Sequence, residues 1–130
     1  MNSPTVLVVG GGVAGSACAI QLRAHGVHVT LVEKAEFPRA KVCGCCIGGA
    51  GIEILRGLGQ LNVPASSSDD SPLFRQIMTD ADSVNQWRAS LGGHTINVDL
   101  PSGIAISRER LDSTLIETAR DAGCTVHMPC

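Results

Sequence analysis

Aromatic residues are nearly absent from this chain, which has two Phe, one Trp and no Tyr in 130 residues. Without a row of rings there is no platform on which bases could stack. Cations are also not in excess: Lys and Arg total 10 against 12 Asp and Glu, a formal net charge of −2, so no basic stripe marks a phosphate backbone. Nucleic acid is therefore excluded as an expected partner. No long hydrophobic run is present either. The opening Met1-Asn-Ser-Pro-Thr5 carries no basic residue, and the apolar stretch behind it reaches glycine too early for a signal peptide or a membrane span. A cytoplasmic location is expected. The four histidines, His25, His28, His94 and His127, lack the spacing of a metal pair or a nucleophile triad, and no catalytic acid or base stands out. No internal repeat is evident.

Glycine is abundant, with 15 residues, and its most informative use is in Val6-Leu-Val-Val-Gly-Gly-Gly-Val-Ala-Gly15. Gly10 permits the tight turn leaving a strand, Gly12 allows the backbone to approach a pyrophosphate, and Gly15 allows a helix to pack close to a sheet. The helix that follows offers free N–H groups and the positive end of its dipole, so the turn needs no cation. Glu33 ends the next apolar run, about 20 residues beyond the glycines, where a carboxylate can accept both ribose hydroxyls and disfavours a 2′-phosphate. Strand, glycines, helix and terminal acid together predict a dinucleotide site. Its candidate cofactor-binding residues are Gly10, Gly12, Val13, Ala14 and Gly15 in the turn, with Glu33 and Lys34 beyond it.

The chain has the size of one domain, and with 44% hydrophobic residues it is expected to bury roughly two thirds of its unfolded surface. Its opening reads as a βαβ unit. A strand spans Thr5 to Val9, a helix places Val13, Ala17, Ile20 and Ala24 on one face, Gly26 stops it, and a strand runs from Val27 to Val32. Ala14, Gly15, Ala17 and Cys18 are expected to seat that helix on the sheet, with Gln21 and Arg23 facing water. The nearly continuous apolar strands predict a sheet covered on both faces. A short helix is predicted around Ala50 to Leu58 and a connection at Pro64 to Pro72. Three β-like runs follow, Phe74 to Thr79, Val84 to Leu91 and His94 to Leu100, with Leu91-Gly-Gly-His94 as a hairpin signal. Trp87, on one of these strands, is expected to serve core packing. Ser107 is placed to cap a last helix, whose Leu111, Leu115, Ala119 and Ala122 share a face before the strand of Cys124, Val126 and Met128. The expected fold is α/β: a Rossmann-like, doubly wound βαβ core from residues 1–63 and 104–130, with an antiparallel β insertion over 73–101.

A second motif runs from Glu33 through Phe37-Pro-Arg-Ala-Lys-Val-Cys-Gly44 to Cys45, Cys46 and Ile47. It brings cations and small residues back towards the first. The pattern resembles a group of FAD-dependent oxidoreductases containing geranylgeranyl reductases, p-hydroxybenzoate hydroxylase-like enzymes and flavin-dependent halogenases. A third segment, Ile106-Ser-Arg-Glu-Arg-Leu-Asp112, is similar to the arginine-led stretch of that group. The resemblance implies that Gly10, Gly12 and Gly15 approach the pyrophosphate of FAD, Glu33 the adenosine ribose, and Arg108 the phosphate or ribitol region. Arg39, Lys41 and the turn of Cys43, Gly44, Cys45 and Cys46 would lie along the cofactor. An arginine fork holds phosphate bidentately, whereas a lysine offers a point charge.

Cys45 replaces an acid common in the group, so a role built on that acid is not carried over. Several readings of Cys43 to Cys46 stay open. Small residues packing under a cofactor are favoured. A redox Cys43-x-x-Cys46 dithiol and a metal site are the others, although no four well-placed metal ligands are at hand. With no secretory signal, reduced thiols are expected. The Asp-Gly and Gly-Asp pairs that complete the cofactor site in the group are missing, so the chain reads as the amino-terminal part of a larger flavoprotein. The activity implied is an FAD-dependent redox reaction, a geranylgeranyl-reductase-like or monooxygenase-like one, on a small isoprenoid or aromatic substrate, with NAD(P)H as candidate electron donor. The alternatives are an NAD-dependent dehydrogenase and a non-catalytic dinucleotide-binding fragment.

Overall fold

A computed structural model describes residues 4–43, 46–61 and 70–130. Strand β1 (Thr5–Val9), helix α1 (Val13–Ala24) and strand β2 (His28–Val32) form the opening unit, as the sequence predicts. β3 (Cys46–Gly48) and α2 (Gly49–Gly57) follow, then α3 (Pro72–Asp80) and β4 (Asp82–Ser83). Next come β5 (Gln86–Leu91), β6 (His94–Asp99), β7 (Gly103–Ala105), α4 (Arg108–Asp121) and β8 (Thr125–His127). The three parallel strands lie in the order β1-β2-β8, with Val6 beside Val29 and Leu31 beside Val126. A second, antiparallel sheet has the order β3-β7-β4, and β5 pairs β6 as a separate ribbon.

The core fills the space between the parallel sheet and helices α1 and α4. Leu31 of β2, Ala19 and Ile20 of α1, and Leu115, Ile116 and Ala119 of α4 are all buried there. Burial of each large side chain in this layer contributes roughly 1.5–3 kcal/mol. The cluster continues through Ile104 of β7 to Ile52 and Leu55 of α2 and Leu73, Phe74 and Ile77 of α3. Ser107 caps α4 as the sequence predicts, its hydroxyl accepting from the Arg110 N–H at 3.2 Å.

Several expectations are corrected. The run predicted as a strand at Phe74 to Thr79 lies in helix α3. Ser71 caps this helix by accepting from the Phe74 N–H at 3.1 Å, and Pro72 occupies its first turn. Leu73, Phe74 and Ile77 then fall on one helical face and are buried, so cap and 3.6-residue period outweigh β-propensity. The three-strand meander is accordingly a two-strand hairpin, whose Gly92 and Gly93 both take positive φ, as a tight primed turn requires. Trp87 stands on that hairpin 53% exposed, outside the core. Ala14 and Cys18 are exposed; Ser16, Ala19 and Ile20 are the buried face of α1. Arg23 is not merely solvated: it donates to the carbonyls of Ala122 and Val27, tying α1 to both following turns. Likewise Gln21 accepts from the Gly59 N–H.

Winding on both faces of the sheet is also not observed. Val29 and Leu31 point to the helices and are buried, whereas Leu7 and Val9 on the opposite face are 61% and 79% exposed, with no helix over them among the described residues. Most of the predicted Pro64 to Pro72 connection lies outside the described residues.

Burial separates α3 from the hairpin energetically. Ile77→Ala should cost about 2–4 kcal/mol in urea unfolding, because Ile77 is fully buried, whereas Ile96→Ala on the exposed ribbon should cost less than about 0.5 kcal/mol. Equal losses would contradict this packing.

Candidate functional site

The turn between β1 and α1 is held from three sides. Gly10 takes a φ of +101°, which a side-chain-bearing residue adopts only with strain, and its N–H donates to the Val32 carbonyl at 2.8 Å. Ser16 donates its hydroxyl to the Gly11 carbonyl at 3.0 Å. A Cβ on Gly15 would run into the Gly10 carbonyl oxygen, so helix and turn approach as closely as that glycine was expected to allow.

Gly11 was not singled out in the sequence, yet it is the most confined of the three consecutive glycines. A Cβ there would meet Ile116, Glu33 and Leu31 side-chain atoms at 3.0–3.2 Å. The only signal was that three glycines stand in a row where two suffice. Its N–H donates to Glu33 Oε2 at 2.7 Å, and the Ala35 N–H donates to Oε1 at 2.8 Å. Glu33 is thus a latch between the end of β2 and the glycine turn, as well as a wall of the cavity described next. Burial pushes its pKa up, but the two backbone N–H groups, the Arg39 guanidinium and the Lys34 ammonium outweigh that and hold it below the usual carboxylate value.

A cavity of about 740 Å³ opens at the carboxyl ends of β1 and β2. Gly10, Gly12, Val13, Ala14 and Gly15 form one wall, and Glu33, Lys34, Arg39, Lys41 and Arg108 the other. Val9, Val32 and Cys130 also line it, and no motif in the sequence marks them as site residues. The remaining expected residues separate. Cys43 is exposed and hydrogen-bonds to the Arg108 guanidinium, whereas Cys46 lies in β3 beside a second, smaller cavity with Ile47, Gly48 and Ser102. Gly44 and Cys45 lie outside the described residues. No cluster of His, Cys, Asp or Glu suited to a metal ion is found among the described residues.

The chemistry of this cavity is that of an anion cradle. Helices α3 and α4 are capped by serine hydroxyls, but Gly12 at the start of α1 supplies no capping side chain and the first turn carries no acid, and this uncapped end lines the cavity. The space above Gly12 is open: a Cβ there would sit 3.8 Å from Arg108 Nη2 and 3.9 Å from Arg39 Nη2. Arg39 lies over the Phe37 ring and reaches Glu33 Oε1 at 3.6 Å, while its Nε is buried without a partner among the described residues. Arg108 grips Asp112 with two bonds of 2.9 and 3.1 Å, which raises its pKa further and keeps it charged. Asp112, 1% exposed, was missed as a site residue; the available signal was its position four residues after Arg108 on one helix.

Fold and cradle together define a dinucleotide-binding βαβ domain. The sequence matches the FAD binding domain family over residues 3–129, and the chain belongs to that family. It is 30% identical over 128 residues to a menaquinone reductase of Mycobacterium tuberculosis, covering 94% of this chain and 28% of that protein. Over 58 residues it is 44% identical to a 1H-pyrrole-2-carbonyl-(peptidyl-carrier protein) brominase of Pseudoalteromonas luteoviolacea, covering 45% of this chain and 14% of that one. The structure superposes on 2-methyl-3-hydroxypyridine-5-carboxylic acid oxygenase with a TM-score of 0.79 and 23% identity, over 99% of this chain and 32% of the other. The chain spans less than a third of the length of the curated relatives it matches. No helix among the described residues is long and apolar enough to cross a membrane.

The Glu33 latch predicts an acid-sensitive fold. Because the folded pKa lies below the unfolded value of about 4.3, its stabilisation is complete at neutral pH and is lost as pH falls through the folded pKa. Glu33→Gln sets an amide N–H₂ against one of the two backbone N–H donors and should cost about 1–3 kcal/mol at pH 7. Urea titrations from pH 7 down to about 2.5 should show the variant's acid loss flattened; a parallel pair of curves would contradict the latch.

Proposed function

We propose that this chain holds the adenosine diphosphate half of FAD within a flavin-dependent oxidoreductase. The observation that carries the reading is the uncapped start of α1 at Gly12, facing the side-chain nitrogens of Arg39 and Arg108 across open space. Helix N–H groups and two guanidiniums around one void suit a pyrophosphate and would repel a cation. In this reading Gly10, Gly12 and Gly15 let the backbone approach the diphosphate, Val13 and Ala14 supply N–H groups, and Arg39 and Arg108 bind its oxygens. Lys34 and Lys41 add positive potential at the rim. Glu33 keeps acceptor capacity for the ribose beyond its two backbone bonds. When bound, FAD supplies the redox chemistry, by accepting and passing on a hydride or electrons.

Within that class we favour a reductase acting on a double bond of an isoprenoid, with NAD(P)H as electron donor. The pattern from Phe37 to Gly44 supports this, as does the similarity to a reductase along nearly the whole chain. A monooxygenase or halogenase acting on an aromatic substrate is the second reading, supported by the likeness to the brominase.

Two glycines test the cofactor assignment. Gly12→Val projects into the cradle without backbone strain, so it should fold normally yet weaken FAD binding by more than about tenfold, the scale of one lost charged hydrogen bond. Gly15→Ala should instead destabilise the fold by about 1–3 kcal/mol, because its methyl has no room against the Gly10 carbonyl. Flavin fluorescence and thermal melts read the two effects. Unchanged FAD affinity in folded Gly12→Val, or tighter binding of NAD than FAD by the parent, would overturn the assignment.

A further inference from the structure

We propose that Asp112 is the positioning residue of the cradle, holding the two guanidinium groups that face Gly12 at the separation a diphosphate needs. The proposal rests on the FAD reading above. One carboxylate oxygen carries the argument: Oδ2 of Asp112 lies 3.1 Å from Arg108 Nη2 and 4.0 Å from Arg39 Nη2. Those same two nitrogens border the open space over Gly12, at 3.8 and 3.9 Å from where a Cβ would stand. The atoms that would touch the ligand are thus the atoms that Asp112 holds.

Two other features set Asp112 apart from an ordinary helical ion pair. First, it does not cap α4, since Ser107 serves the Arg110 N–H, so no local backbone need explains a carboxylate here. Second, it is buried, as are Leu111, Thr114 and Leu115 near it in α4, and a charged group in such a place is tolerated only when paired. Its partners among the described residues are guanidiniums. Oδ1 takes Arg108 Nε at 2.9 Å, which locks the Arg108 fork in plane and leaves Nη1 uncommitted to the carboxylate. Without this anion the two cations would repel each other, and each long side chain would recover rotamer freedom that the ligand would then have to remove.

The test uses Asp112→Asn, which preserves shape but removes the charge, with FAD and ADP as probes. Affinity of the folded variant for both should fall roughly ten- to a hundredfold. In an Arg39→Ala/Arg108→Ala background, the same substitution should change FAD affinity by no more than about twofold, as expected when a residue acts only through its partners. Unchanged FAD affinity for Asp112→Asn, where Arg108→Ala weakens it, overturns the positioning role and leaves the FAD reading intact. An equal loss with and without the arginines also overturns it. If Arg108→Ala itself leaves FAD affinity unchanged, the diphosphate reading and the positioning role both fall. Should Asp112→Asn not fold, the Arg108 Nε–H of the unaltered protein decides by NMR. Slow exchange supports the locked fork, and exchange at the rate of a free arginine overturns it.

Discussion

A single carboxylate ties the two halves of this site together. Glu33 leaves the end of β2 and turns back to accept the Gly11 N–H and the Ala35 N–H, one on each oxygen. The first bond holds the glycine turn against β2; the second fixes the direction in which the chain departs towards Phe37 and Arg39. Arg39 then returns to within 3.6 Å of the same carboxylate. The latch works only because Gly11 has no side chain: a methyl there would sit at 3.1 Å from the Glu33 Cβ. A residue type chosen for its absence of atoms and one chosen for its charge thus depend on each other.

Around that latch the arginines of the cavity wall are each paired with a buried acid. Glu33 and Asp112 are 4% and 1% exposed, and each faces the guanidinium of Arg39, while Asp112 also faces that of Arg108. Buried charges are tolerated when paired. The pairing also restrains both arginine side chains, so in the proposed cradle less rotamer entropy would be lost when a ligand binds. Positive potential is left to Lys34 and Lys41 at the exposed rim and to the open end of α1.

Much of the fold was legible because its signals are local. β1 matches the expected Thr5–Val9 span, the hairpin turns at the expected glycine pair, and Ser107 caps α4. Helix α3 departs from the expected strand although its own signals, Ser71 followed by Pro72 and then a helical spacing of Leu73, Phe74 and Ile77, stand in the sequence. Short apolar runs carry both periodicities, and here the buried contact with α2 and α4 selected the helix. The small residues of α1 do not by themselves tell which of them face the sheet. In the structure the rotation of the helix puts Ala14 and Cys18 outside and Ser16 inside, where its hydroxyl binds the turn.

For the site, the sequence alone determined which residue types meet at the cavity. Gly10, Gly12, Gly15 and Glu33 recur at spacings set by a strand, a turn and a helix, and local geometry carries them to one place. It also indicated Arg39, Lys41 and Arg108 by resemblance, and these do line the cavity. What only the tertiary structure decided is how those charges are shared. Arg108 lies far along the chain from Gly12, and no spacing rule states that its Nη2 hangs over that glycine or that Asp112 holds it there. The same holds for Gly11, whose confinement is created by Ile116 from α4 and Leu31 from β2. Contacts between distant segments depend on how α4 packs against α1 and the sheet, and packing is a property of the assembled core rather than of any short stretch of sequence.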